Sequence, residues 1–340
     1  MLVALAACVA AVAAVIGFLI TRPGPAHDAR SHRRDSVVRG YHYLVFVPPS
    51  YRAASKVPLV VVLHGCQTTA SQQAVASGYD AIAERSRFLV LYPEVDQVDQ
   101  AHGGCWKGIW EPAEEGRDRG DAGAIASMTV AVMRAWRIDP TRVYAIGISA
   151  GAFESAILGA DYPDLYAAIG IHSGAAYSGG EPGCLAAGES ATNTAALGHA
   201  ALAAMGPHAR VMPVIVLHGD QDQVIPYRCG EQALWQWLDT DRLVAERQDG
   251  NAAPVGPATV RTGVVARGHA YTVASYLDRH GCTVAQLWTI HGMGHAWSGG
   301  SDDSSVALYT DPRGPSAAAA ASSFFLQWKL SRGRSVCTRK

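Results

Sequence analysis

Val143-Tyr-Ala-Ile-Gly-Ile-Ser-Ala-Gly151 is an apolar run that closes in Gly-x-Ser-x-Gly. A serine hydroxyl is a poor nucleophile unless it is held exposed beside a base. Gly147 and Gly151 carry no Cβ, so the chain can turn sharply from strand into helix between them. Such a turn presents Ser149 at the carboxyl edge of a sheet, with the Ala150 amide positioned to help hold an oxyanion. The five-residue pattern alone also fits an ordinary tight strand–helix junction. Its weight comes from partners far along the chain.

On either side of this run the hydrophobic pattern alternates between two kinds of segment. Val57 to Leu63 and Phe88 to Tyr92 are solid apolar runs, the mark of strands buried on both faces. A helical stretch from about Gln72 to Arg85 separates them. Tyr41 to Val47 alternates like an edge strand and stops at Pro48-Pro49. Asp121 reads as the N-cap of a helix through Met128, Val132 and Trp136. Ala167 to His172, Val214 to His218 and Val284 to Ile290 supply further strands, and helices follow Ser149 and Pro315. Strands alternating with helices predict an α/β protein: a doubly wound, mainly parallel sheet with helices on both faces. Gly230 to about Tyr271 breaks the rhythm and reads as a long irregular insertion, either a lid or surface decoration.

An activated serine needs a histidine base, an acid to orient it, and donors for the developing oxyanion. In an open α/β sheet these belong at the carboxyl ends of strands. After the strand ending at His218 come Asp220 and Asp222. Asp222 precedes a Val-Ile-Pro segment that would anchor its loop, and it is read as the orienting acid; Asp220 is read as the cap of an Asx turn. After the strand ending at Ile290 comes His291-Gly-Met-Gly-His295-Ala-Trp, whose glycines would let the loop bring His295 toward Ser149. His291, without glycine on both sides, is the competing base. Ser149, Asp222 and His295 occur in the chain order of α/β-hydrolases. The other oxyanion donor is expected at Leu63-His-Gly-Cys-Gln67, from the amide of Cys66 or Gln67, beside that of Ala150. Trp106, Trp110 and Trp297 are candidates for a surface that stacks against an acyl group, whereas Trp136 and Trp328 read as core.

With 340 residues, 49% of them hydrophobic, the chain can bury one large α/β core. A net charge of −1 without a basic cluster argues against a nucleic-acid partner. Residues 1–20 are apolar throughout and read as a signal peptide or membrane anchor, the one route to membrane association. Leu5-Ala-Ala-Cys8 matches a lipobox by residue type, but a long apolar run follows it. Arginines at 22, 30, 33 and 34 would favour a cytoplasmic body. Six body cysteines argue the other way, since an even set scattered through loops suits disulfides in an oxidising compartment. The reading is therefore a secreted, periplasmic or surface-anchored protein. Sequence leaves the pairing open; Cys66–Cys105 and Cys282–Cys337 are the pairs expected. Residues 21–37 read as a linker, 38–332 as the catalytic domain and 333–340 as a tail.

Several of these segments resemble one family in order. They are Leu63-His-Gly-Cys66, Cys105-Trp106, Arg142 to Gly151, Tyr162-Pro163, His218-Gly-x-x-Asp222, Gly292-Met-Gly-His-Ala-Trp-Ser-Gly-Gly300, and Asp311-Pro-x-Gly-Pro315 before Phe324-Phe325. The chain is similar to the esterase family of extracellular polyhydroxybutyrate depolymerases, feruloyl esterases and acetylxylan esterases. The resemblance implies an α/β-hydrolase fold and a secreted carboxylic-ester hydrolase with no metal or cofactor. It also implies Ser149, Asp222 and His295 as a catalytic triad working through an acyl-enzyme. Lys107 stands where the family usually has Asn after Cys-Trp, and no separate polymer- or carbohydrate-binding module is recognised. Acyl transfer or peptide cleavage on the same triad is the alternative, and an anchored binding protein with a relic site is a third reading.

Overall fold

The computed structural model describes residues 32–96, 103–109, 111, 115–178, 184–185, 193–249 and 256–338. The apolar segment 1–20 and Trp110 lie outside them. The compact body begins at Arg33.

Fourteen strands and seven α-helices are found among the described residues. In chain order the strands are β1 (Arg33–Val38), β2 (Tyr41–Phe46), β3 (Val57–Leu63), β4 (Leu89–Pro93), β5 (Ile138–Ile148), β6 (Ala168–His172), β7 (Val214–Gly219), β8 (Thr259–Val264), β9 (Ala270–Leu277), β10 (Thr283–Ile290), β11 (Trp297–Ser298), β12 (Thr310–Asp311), β13 (Trp328–Ser331) and β14 (Arg334–Cys337). The helices are α1 (Ala70–Ser77), α2 (Tyr79–Ser86), α3 (Gly120–Ala135), α4 (Ala150–Asp161), α5 (Thr194–Met205), α6 (Tyr227–Asp249) and α7 (Ala317–Phe325).

The main sheet has ten strands in the order β1-β2-β4-β3-β5-β6-β7-β10-β9-β8. The six from β4 to β10 run parallel, and antiparallel strands finish both edges. Alternate side chains of β3 divide between two cores. Val60 and Val62 pack with residues of α1, α2, α6 and α7, while Leu59, Val61 and Leu63 pack with α3. This period-two division explains the solid apolar runs, since both faces of a central strand are covered. Truncating one such residue to Ala typically costs about 2–5 kcal/mol. The doubly wound, mainly parallel sheet is the one expected.

Four boundaries differ from the sequence reading. Residues 33–38, taken as linker, form the edge strand β1, paired with β2 from Arg33↔Phe46 to Val38↔Tyr41. Its Arg34, Asp35 and Ser36 side chains are exposed and Arg33 turns in to pair with Asp80, so it carries no apolar signature, and β2 is an inner strand. The helix expected over 72–85 is two helices broken at Gly78 (φ +68°), with a capping box between Thr69 and Gln72 starting the first. The long insertion after Gly230 is the helix α6 followed by the hairpin β8–β9. The tail at 333–340 forms β14, joined to β13 and tied by Cys337 to Cys282. Asp121 lies inside α3 and does not cap it. Glu115 does so, accepting the Asp121 and Ala122 amides at 3.2 and 2.8 Å.

Three disulfides are present: the two expected pairs and Cys184–Cys229. Among the described residues no helix is long and apolar enough to cross a membrane.

Candidate functional site

Ser149 is the hinge between β5 and α4. Its backbone sits at φ 54°, ψ −126°, a region that costs a non-glycine residue roughly 1–3 kcal/mol. Both framing glycines are needed for close approach. A Cβ on Gly147 would lie 2.1 Å from Gly151 O, and one on Gly151 would lie 2.4 Å from His64 O. The Ser149 amide donates to His172 O at 3.1 Å, joining the hinge to the end of β6.

The loop after β3 passes directly over this hinge, since a Cβ on Gly65 would come within 3.2 Å of Ser149 Cβ. The Ala150 amide opens α4 and has no carbonyl one turn back to receive it. Gln67 is excluded as an oxyanion donor because its amide, at φ 60°, donates to Gly103 O at 2.8 Å. Gly103 is brought there by the Cys66–Cys105 disulfide. Of the two amides expected in this loop, Cys66 is the remaining candidate.

Asp222 and His295 meet across the ends of β7 and β10. His295 Nδ1 lies 2.8 Å from Asp222 Oδ2. A carboxylate can only accept, so Nδ1 carries the proton and Nε2 is the basic nitrogen. Asp222 is fully buried, and its Oδ1 accepts the Val224 and Ile225 amides, both at 2.9 Å. The Asx-type turn expected of Asp220 therefore belongs to Asp222. Burial pushes the Asp222 carboxyl up, but hydrogen bonds from His218 and His295 and the charge of His295 outweigh it. The group is held well below the usual carboxylate range. Gly219 lets the two loops touch, since a Cβ there would be 2.2 Å from Met293 O. No hydrogen bond joins Ser149 Oγ to His295 Nε2 among the described residues.

Two buried imidazoles support this arrangement and were read from the sequence only as strand ends. His218 Nε2 lies 2.8 Å from Ile225 O and 3.4 Å from Asp222 Oδ2, a shared donor that steadies the acid. His172 accepts the Ser298 amide on Nε2 at 3.0 Å, so its Nδ1 carries the proton toward Ser173 Oγ. Burial, with His218 and His295 nearby, lowers the His172 pKa to about 3 and keeps the ring neutral. His172 thus touches both the serine hinge, through its carbonyl, and the loop after His295, through its ring. A histidine closing an otherwise apolar buried strand was the available signal in both cases.

The tryptophans are not a stacking surface. Trp106 is fully buried, donates to His64 O at 2.9 Å and packs on the His64 ring. Trp297 is equally buried, stacked on His172 at 5.1 Å. Their bulk fills space beneath the loops and does not line a cleft. The third candidate, Trp110, lies outside the described residues.

Among the described residues, one group could hold a metal ion. Oxygens of the buried Glu115, Asp121 and Glu154 lie within 4.8 Å of one another. Burial raises the Glu115 carboxyl to about 7 and pushes Glu154 well above its usual range, with the neighbouring acids adding to both. Protonation therefore relieves the crowding without a cation.

The family model described as Esterase PHB depolymerase matches residues 41–253, more than half of the chain. Poly(3-hydroxyalkanoate) depolymerase C of Paucimonas lemoignei is 38% identical over 120 residues, 35% of this chain and 28% of that protein. Probable acetylxylan esterase A of Aspergillus fumigatus is 32% identical over 130 residues, 38% of this chain and 33% of that protein. Feruloyl esterase B of Thermothelomyces thermophilus is 31% identical over 196 residues, 53% of this chain and 64% of that protein. The chain thus spans from about a quarter to just under two thirds of these relatives' lengths. Among solved structures, an acetyl xylan esterase from Aspergillus awamori superposes with a TM-score of 0.58 at 20% identity, covering 77% of this chain and 93% of that one. That likeness, with the mainly parallel sheet, gives the α/β-hydrolase fold. The matched span runs from β2 through α6 and takes in both the Ser149 hinge and the Asp222 loop, and the chain belongs to the Esterase PHB depolymerase family.

Proposed function

We propose that this protein hydrolyses carboxylic esters through an acyl-enzyme formed on Ser149. The observation that carries the reading is the 2.8 Å contact between His295 Nδ1 and the buried Asp222 carboxylate, at the same carboxyl edge of the parallel sheet as a serine held in a strained strand–helix turn. His295 Nε2 takes the proton from Ser149 Oγ as that oxygen bonds to the ester carbonyl carbon. Asp222 holds the Nδ1–H tautomer and stabilises the imidazolium. The carbonyl oxygen, now anionic, is received by the Cys66 and Ala150 amides, each donor contributing about 3 kcal/mol to the barrier reduction. The imidazolium then gives its proton to the leaving alcohol as the C–O bond breaks. Water, deprotonated by the same nitrogen, releases the acid and restores Ser149. No step requires a metal or cofactor.

The substrate class follows from the relatives: hydroxyalkanoate oligomers, or acetyl and feruloyl esters. The three disulfides support secretion into an oxidising compartment. Ser149→Ala is expected to abolish both p-nitrophenyl acetate turnover and fluorophosphonate labelling, with the circular dichroism spectrum unchanged. Undiminished turnover in that variant overturns the reading.

A further inference from the structure

The loops that carry Asp222 and His295 also carry a second carboxylate and a second imidazole. His291 Nδ1 lies 2.9 Å from Asp220 Oδ2, and the Gly292 amide donates to Asp220 Oδ1 at 2.7 Å. Gly292 sits at φ +76°, which turns that amide back onto the carboxylate and would strain any side chain there. On its far side His291 Nε2 lies 2.9 Å from Thr272 Oγ1 on β9. The main chain is tied at the same points: Asp220 N to Ile290 O, Gln221 N to Met293 O and His291 N to Ala270 O, at 2.9–3.1 Å. His269 reaches the His291 carbonyl at 2.8 Å and Asp311 Oδ2 at 2.8 Å, and Arg313 donates to both oxygens of Asp311.

The segment from 291 to 295 needs such ties. Two of its five residues are glycine, and glycine has the most backbone freedom to lose on becoming ordered. His291 is not aimed at the serine, because Nε2 is engaged by Thr272 and Nδ1 by Asp220. We propose that Asp220 and His291 are positioning residues: their bridge, anchored to β9 by Thr272, clamps the loop bearing His295 onto the loop bearing Asp222 and so fixes the basic nitrogen relative to Ser149. This rests on the reading of His295 as the base.

The chemistry of the bridge suits a clamp. Asp220 can only accept, so His291 Nδ1–H is always the donor to it. Thr272 offers both a proton and a lone pair, so it bonds Nε2 whether the ring is neutral or charged. The bridge therefore depends on Asp220 keeping its charge. Burial alone would raise the Asp220 carboxyl, but hydrogen bonds from His291, Gly292 and Gln221 hold it below the usual range. The titratable and charged groups around the bridge include His269, Asp311, Arg313 and Tyr227.

The test uses Asp220→Ala, His291→Ala, His291→Asn and the double variant Asp220→Ala/His291→Ala. Turnover of p-nitrophenyl acetate is measured per active site titrated with fluorophosphonate, with Ser149→Ala in parallel. Misplacing a reacting group by a fraction of an ångström should lower kcat about tenfold in Asp220→Ala and His291→Ala, with KM changed less than about twofold. The double variant should be no worse than either single one, because both remove the same contact. His291→Asn, which keeps a donor where Nδ1 was, should recover most of the rate. A kcat above half of wild type in Asp220→Ala overturns the proposal, as does multiplication of the two single effects. Loss of turnover in Ser149→Ala alongside a fully active Asp220→Ala sinks the clamp and spares the ester-hydrolase reading, whereas an active Ser149→Ala sinks that reading itself.

Discussion

Two carboxylate–imidazole bridges span the same pair of loops, two residues apart on one side and four on the other, yet they are built differently. The Asp222 side chain is fully buried and His295 is 18% exposed, whereas Asp220 and His291 are 28% and 44% exposed. Asp222 collects two backbone amides and two imidazoles; Asp220 collects one backbone amide, one imidazole and, at 3.4 Å, the side chain of the adjoining Gln221. Removing one partner of a buried pair strands a charge out of reach of water, while an exposed pair is solvated and screened when broken. In the proposed mechanism the inner bridge belongs to the chemistry and the outer one to its scaffolding.

The largest test of that difference is Asp222→Asn. It preserves shape but favours the wrong imidazole tautomer, and kcat should fall about 10,000-fold, against about tenfold for Asp220→Ala. Equal losses in the two variants, measured on the same ester, would erase the distinction. A smaller effect concerns His172, which is buried like Asp222 but neutral. Its folded pKa, near 3, lies below the unfolded value of 6.5, so the unfolded chain binds more protons between them. Stability from this group is present above about pH 6.5 and is lost as pH falls toward 3. His172→Gln should be less stable at neutral pH yet decline less steeply with acid, read as urea midpoints across that window.

The smallest expected effect lies at Glu154, a buried carboxyl with no imidazole at hand. Burial raises it, where donors around Asp222 lower that group. The sign is accordingly reversed. A raised carboxyl holds its proton in the folded state, so its contribution is full below the unfolded value of 4.5 and is lost as pH rises. Glu154→Gln should flatten the decline in urea midpoint as pH rises above about 4.5. An unchanged slope would show that Glu154 is already ionised in the folded protein.

The parts of this architecture legible in the sequence are those written locally. The Gly147-Ile-Ser-Ala-Gly151 hinge, the buried parallel strands and the facing of Asp222 and His295 depend on short-range patterns at strand ends, and each appears where the residues implied. The edges were not legible. β1 and β8 are solvent-facing, so their polar side chains carry none of the period-two contrast that marks a half-buried strand. In α6 the neighbouring Trp235 and Trp237 point opposite ways, one exposed and one buried, which blurs the helical stripe. The burial of Trp106 and Trp297 and the engagement of the Gln67 amide depend on loops brought together from distant parts of the chain. Asp220 and His291 were weighed as rivals of the residues they support, because spacing along a chain does not show which of two acids meets which of two bases.

The strap formed by β13 and β14 has a consequence for how the protein is made. Tyr144, in the strand that leads to Ser149, gives its hydroxyl to Trp328 O at 2.7 Å, Trp328 Nε1 reaches Thr283 O, and Cys337 is bonded to Cys282. These ties to β5 and β10 can form only once residues 328–337 have been made. Ser149, Asp222 and His295 all precede the strap in the chain, so the segments that carry them are synthesised before the element that braces their strands from below.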